Sequence, residues 1–178
     1  MSTEPAQRSH PADVRLLVLD VDGVLTDGGL YYGPGDVELK RFDIKDGFAL
    51  RAAQRVGLRI GILTARSSQA LAKRAAELEI EHVLQGSPDK ARDIRRMATA
   101  AGFDLSQTAF MGDDLPDLPA MRLAGYPIAV ADAATEIRDM ASLTTARAGG
   151  RGAVREAIEH LLHAQDKWAK AIAPFTGD

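Results

Sequence analysis

Short apolar runs alternate with amphipathic stretches along most of this chain. Residues 15–20 end an unbroken Leu/Val run in a polar turn, the pattern of a strand buried on both faces. Residues 58–63, 81–86, 108–112, 126–130 and 143–145 read as further short strands. Between them, "DGFALRAAQRVG", "SSQALAKRAAELE", "SPDKARDIRRMATAAG" and "LPDLPAMRLAG" space their apolar residues as helices do. A short helix is predicted over 135–140 and a last, long one over 152–172. Gly57 and Gly102 stand where helices end; Ser67 and Ser87 stand where N-caps belong, with Pro88 at the first helical position after Ser87. Residues 28–32 and 37–42 flank the turn "GPGD" and read as a β-hairpin. Strand and helix in alternation predict an α/β fold, a Rossmann-like parallel sheet flanked by helices, with the hairpin inserted after the first strand. Ligands of such folds sit beyond the carboxyl ends of the strands.

Composition narrows the function classes. The 178 residues suit one domain, placed at 14–164, after a flexible polar tail at 1–13 and before a C-terminal helix end and tail at 165–178. The tail lacks the apolar stretch of a signal peptide, and no apolar run approaches membrane-spanning length, so a cytoplasmic protein is expected. The net charge of -3 comes without a basic, aromatic-interleaved run, which argues against nucleic-acid binding. There is no cysteine, hence no thiolate metal site.

Polar groups of chemical interest collect where strands are predicted to end. Asp20 and Asp22 follow the first strand, Thr64 and Arg66 the second, Lys90 the third, and Asp113, Asp114 and Asp117 the fourth. Each alone has a plain explanation as a turn or cap residue. Lys90 is harder to set aside, because a cation near a helix N-terminus opposes the dipole. Together the groups describe a site. Carboxylates supply hard oxygen ligands for Mg²⁺, and a hydroxyl, a lysine and helix N-termini can hold phosphoryl oxygens. Side chains i and i+2 on an extended segment lie on one side, so one carboxylate of Asp20 and Asp22 can attack phosphorus while the other moves a proton.

"DVDGVLTDG", "LTAR", Lys90 and "GDDLPD" resemble, in order and spacing, the four motifs of the haloacid dehalogenase superfamily of phosphatases. The longer stretches "DVDGVLTDGGLYY", "DGFALR", "QGSPDK", "MGDDLPDLPAM" and "GGRGAVRE" are similar to its capless sugar-acid phosphatases, over about residues 14–165. The resemblance implies a sheet without a cap domain, with Asp20 as nucleophile and Asp22 as general acid/base. It implies Mg²⁺ held by Asp20, the main-chain carbonyl of Asp22 and Asp113, with Asp114 supporting the metal and its waters. Thr64 and Lys90 would bind the phosphoryl group. It implies a homotetramer formed through the 28–42 hairpin, with Tyr31, Tyr32, Val37 and Leu39 in the contact and a neighbouring chain partly roofing the site. Ala65 stands where glycine is common, and Lys45 where arginine is expected in the "DG" segment.

The implied substrate is a small sugar-acid phosphate. Arg66 and Arg74, eight residues apart, would share one side of a helix and grip its carboxylate, although Arg74 also reads as a surface charge. The nonulosonate 9-phosphate phosphatases of this class carry an acid at the position of Arg66, so Arg66 favours an octulosonate 8-phosphate. Lys45 is a further substrate-contact candidate, and so is Arg151 in the flexible cationic "GGRG", because the resemblance implies a C-terminal region that reaches toward a neighbouring chain's site. The rival outside enzymology is a signalling receiver, which keeps its phosphoryl group; receivers place the phosphorylated Asp after a middle strand.

Overall fold

The computed structural model describes residues 8–177. Strand β1 (Leu16–Leu19) is buried throughout, as its unbroken apolar sequence requires. The hairpin follows as β2 (Tyr31–Tyr32) and β3 (Glu38–Leu39), paired antiparallel with Tyr31 opposite Leu39. The chain then alternates helix and strand. The first units are α1 (Ile44–Arg55), β4 (Arg59–Leu63), α2 (Gln69–Glu77), β5 (His82–Leu84), α3 (Lys90–Ala101) and β6 (Thr108–Gly112). They continue with α4 (Leu118–Leu123), β7 (Tyr126–Ala129), α5 (Thr135–Met140), β8 (Leu143–Thr144), α6 (Ala153–Ala164) and α7 (Trp168–Thr176).

Six strands form one parallel sheet in the order β5-β4-β1-β6-β7-β8. The order reverses beside β1. The chain builds outward through β4 and β5, then returns to the other side of β1 with β6. The ends of β1, β4 and β6 therefore flank a topological switch point, where open α/β sheets form their crevice. Helices cover both faces, and the alternation of β4 shows it. Ile62 lines one small cavity with Leu50 of α1 and Leu71 of α2, whereas its neighbour Gly61 faces Met97 of α3. A Cβ on Gly61 would lie 2.5 Å from the Met97 sulfur, so glycine there lets α3 close on the sheet.

Several local expectations are corrected. The helix predicted over 152–172 is two helices. After α6 the chain turns at Asp166 (φ 55°); Asp166 N–H donates to His163 O and Lys167 N–H to Leu162 O, a Schellman ending without glycine. α7 then folds back on α1, its Phe175 ring 4.9 Å from Phe48. The cap of α2 is Ser68, not Ser67, and that of α3 is Asp89, which accepts from Arg92 N–H at 2.9 Å. Ser87 instead donates its hydroxyl to Asp93 at 2.7 Å. Of the tail predicted at 1–13, residues 1–7 lie outside the described residues. The rest is tied down: Ser9 N–H donates to Gly125 O, Arg8 to Met140 O, and Pro11–Asp13 form a 3-10 turn.

Candidate active site

One cleft beyond the carboxyl ends of β1, β4 and β6 is lined by Asp20, Asp22, Thr64, Ala65, Arg66, Lys90, Asp113, Asp114, Pro116 and Asp117. All eight polar groups that the sequence places at strand ends thus meet in it. A wider cleft of about 480 Å³ opens at the starts of β4 and β5. Two of its three arginines pair with glutamates (Arg51 with Glu79, Arg59 with Glu81), which leaves it without the convergent acids of the smaller one.

Lys90 organises the bottom of the cleft. As the first residue of α3 it reaches down rather than along the surface; it is buried, and its ammonium donates to Asp20 Oδ1 at 2.7 Å and to Asp117 Oδ1 at 2.6 Å. Burial works against its charge, but Asp20 and Asp117 more than offset this, and the Lys90 pKa is raised. The other Asp117 oxygen accepts the Asp113 N–H at 3.0 Å. Asp117, grouped with the other strand-end acids from the sequence, belongs to the site although the motif reading gave it no role. A 3-10 turn over Leu115–Asp117 carries it back toward the strand end. Gly112 leaves the room, since a Cβ there would lie 2.6 Å from Asp117 Oδ2. That glycine, five residues before the acid, was the available signal.

Carboxylates crowd the same space. Oxygens of Asp20, Asp113 and Asp117 lie within 4.8 Å of one another. Burial, with Asp117, Asp20 and Asp114 beside it, pushes the Asp113 pKa up to about 8. Burial and Asp117 raise Asp20 to about 6 despite the pull of Lys90. One ammonium does not neutralise three close acids, and hard oxygen donors so placed fit a Mg²⁺-sized cation. The backbone makes the approach possible: a Cβ on Gly23 (φ +96°) would lie 2.1 Å from Asp113 Oδ2. Asp114, exposed, caps the 3-10 turn by accepting the Leu115 N–H at 2.8 Å.

The rim belongs to Asp22, Thr64 and Arg66. Thr64 is buried at the end of β4. Asp22 accepts from Lys40, and Arg66 donates to Glu38 at 2.8 Å, so two hairpin residues touch the rim.

Three predicted substrate contacts are not in this cleft. Arg74 packs on Gly47 of α1 and pairs with Glu77 at 3.3 Å. Its expected shared face with Arg66 fails because α2 starts at Gln69 and leaves Arg66 in the preceding loop. Lys45 is exposed on the first turn of α1, and Arg151 is exposed on the side of Asp27. The "GGRG" segment, expected to be flexible, is held in place. It braces the chain after β1: Gly150 N–H donates to Val24 O at 2.9 Å, and a Cβ on Gly149 would overlap the Gly23 carbonyl.

Comparison with known proteins agrees with this geometry. A family profile described as haloacid dehalogenase-like hydrolase matches residues 80–158. The 3-deoxy-D-manno-octulosonate 8-phosphate phosphatase of Escherichia coli K12 is 40% identical over 159 residues, 89% of this chain and 85% of the relative. The crystal structure of the Yersinia pestis phosphatase of that name superposes with a TM-score of 0.86 at 40% identity, over 88% of this chain and 85% of the other. The Moraxella catarrhalis phosphatase, crystallised with magnesium, phosphate and the sugar acid, gives 0.89 at 39% identity, over 93% and 95%. The chain belongs to the haloacid dehalogenase-like hydrolases, in the family of the 3-deoxy-D-manno-octulosonate 8-phosphate phosphatases.

Proposed function

We propose that this chain is a Mg²⁺-dependent phosphatase that converts 3-deoxy-D-manno-octulosonate 8-phosphate to the free sugar acid and phosphate, in the cytoplasm, for lipopolysaccharide synthesis. The carrying observation is Asp20 held by Lys90 beside Asp113, Asp117 and Asp22 in one cleft. Relatives about 40% identical over most of their length bear that activity in their names. Asp20, Asp113 and the main-chain carbonyl of Asp22 would hold the ion, with Asp114 and Asp117 around it. When bound, Mg²⁺ supplies positive charge to the acids and to the phosphoryl oxygens.

Asp20 attacks phosphorus in line, and the bond to the sugar oxygen breaks as Asp22 gives that oxygen a proton. Water then attacks phospho-Asp20, Asp22 takes its proton, and phosphate leaves. Lys90 and Thr64 hold the phosphoryl oxygens, so that little reorganisation is needed as charge moves. Arg66 receives the substrate carboxylate. The test is phosphate release from the octulosonate 8-phosphate, nonulosonate 9-phosphates, hexose phosphates and a nucleotide, each with Mg²⁺, with EDTA, and with Asp20→Asn. Preference for the octulosonate, abolished in both controls, is expected. Preference for a nonulosonate overturns the substrate, and no turnover overturns the enzyme.

The assembly we propose is a homotetramer built on residues 28–42. Its support is the exposure of Leu30, Tyr31, Tyr32, Val37 and Leu39 on a hairpin too small to be stable alone. Leu39→Glu should lower the sedimentation mass; an unchanged tetramer or a wild-type monomer removes the hairpin from the assembly.

A further inference from the structure

Lys40 follows β3 at the base of the hairpin. Its side chain is 2% exposed, and its ammonium lies between Asp22 Oδ1 and Glu38 Oε1, the latter at 2.9 Å. Glu38 Oε2 holds Arg66 Nη2 at 2.8 Å, and Arg66 Nε returns to within 3.7 Å of Asp22 Oδ2. The four groups close a ring of alternating charge. Asp22 and Arg66 line the cleft and Lys40 does not, so the ammonium meets the Asp22 carboxylate from a buried side chain outside the cleft lining. Two acids already occupy it, which is what makes burial of an ammonium tolerable. A group so enclosed is poorly placed to bind a phosphate and well placed to fix a neighbour.

We propose that Lys40 is the positioning residue of Asp22: it fixes Oδ1, so that Oδ2 is the oxygen presented to the leaving group. This rests on reading Asp22 as the proton donor. In the step concerned the phosphorus–oxygen bond breaks, its electron pair stays on the leaving oxygen, and the proton on Asp22 Oδ2 passes to that oxygen. Lys40 keeps its protons throughout. Proton delivery depends on donor geometry, so a carboxylate free to rotate serves a poor leaving group badly and a good one almost as well as before.

The experiment uses the Mg²⁺-loaded full chain and a series of aryl phosphates of graded phenol acidity. It reads kcat/KM, which reports the first phosphoryl transfer. Lys40→Met should lower kcat/KM on the order of 10- to 100-fold for the least acidic phenol and less than about threefold for p-nitrophenyl phosphate. Lys40→Arg should recover most of the loss. The double variant Lys40→Met with Glu38→Gln should repeat the graded loss without leaving Glu38 unpaired, which covers the case of a poorly folded single variant. A uniform loss across the series, or none, overturns the proposal. Asp22→Asn separates the two levels. If it too loses activity uniformly, the proton-donor reading of Asp22 fails. If it shows the graded loss and the Lys40 variants do not, only the role of Lys40 fails.

Discussion

Gly23 holds φ +96° and leaves no room for a side chain, since a Cβ there meets Asp113 Oδ2 at 2.1 Å. Gly23→Ala must move Asp113. The expected result is a loss of Mg²⁺ affinity of about 10- to 100-fold, the range found when support for a metal ligand is disturbed; calorimetric titration that finds the affinity unchanged removes Asp113 from the metal. Lys90 makes the opposite kind of prediction. Lys90→Met leaves Asp20 and Asp117 facing each other in a buried site, and losing one partner of a buried ion pair costs about 3–5 kcal/mol. Unfolding in EDTA should show most of that loss and unfolding in Mg²⁺ clearly less; equal losses would mean the cation does not reach those acids. At this scale the sequence was informative where chemistry sits at a strand end. Asp20, Asp22, Thr64 and Asp113 are placed by the sheet itself, and Lys90 by the first residue of α3. It was uninformative where a turn decides the direction of a side chain. The role of Asp117 depends on a 3-10 turn and a missing Cβ at Gly112, and the absence of Arg74 depends on where α2 begins.

Helix endings show the same division between elements. α1 and α3 end with a glycine in the left-handed region, Gly57 and Gly102, each followed by the reversed pair of N–H bonds of a Schellman motif. Both endings are readable because glycine alone adopts that conformation freely. α2 and α6 end in the same way, but on Glu79 (φ 53°) and Asp166 (φ 55°). With no glycine at 166, the apolar spacing continues into Trp168–Thr176, and two helices read as one. A side chain in that conformation carries a cost, so the two kinds of ending should respond oppositely to exchange. Gly102→Ala should lower the unfolding free energy by about 1 kcal/mol, and Asp166→Gly should raise it by roughly 0.5 kcal/mol after the entropy of glycine is subtracted. Denaturant unfolding with an unchanged m-value checks both. A destabilising Asp166→Gly would show that the Asp166 side chain contributes more to the α6–α7 corner than its backbone costs.

For the whole molecule, the acids make stability depend on pH and cation together. Asp20 and Asp46 are raised to about 6 and Asp113 to about 8, burial being the first cause in each case. Asp46 lies outside the cleft; its carboxylate accepts the Arg155 N–H at 2.7 Å at the start of α6. A carboxyl whose folded pKa is raised binds its proton more tightly in the native chain than in the unfolded one. Its contribution is fully present below the unfolded value near 4 and is lost as pH rises through the folded values near 6 and 8. Without metal, stability should therefore fall from pH 6 to pH 8, by on the order of 1–2 kcal/mol once solvent screening of the half-buried Asp113 is allowed for. A bound cation reverses the preference at Asp20 and Asp113, because it selects their ionised forms and competes with protons for them. It leaves Asp46 as it was. The gain in melting temperature on adding Mg²⁺ should thus grow between pH 6 and pH 8, and the metal-free decline over that range should largely disappear in saturating Mg²⁺. In Asp113→Asn the metal-free decline should be shallow and the Mg²⁺ gain small at every pH. A Mg²⁺ gain that stays flat with pH in the wild-type chain would mean that the ion binds without displacing protons from this cluster, and Asp113 would then have to be ionised in the metal-free protein.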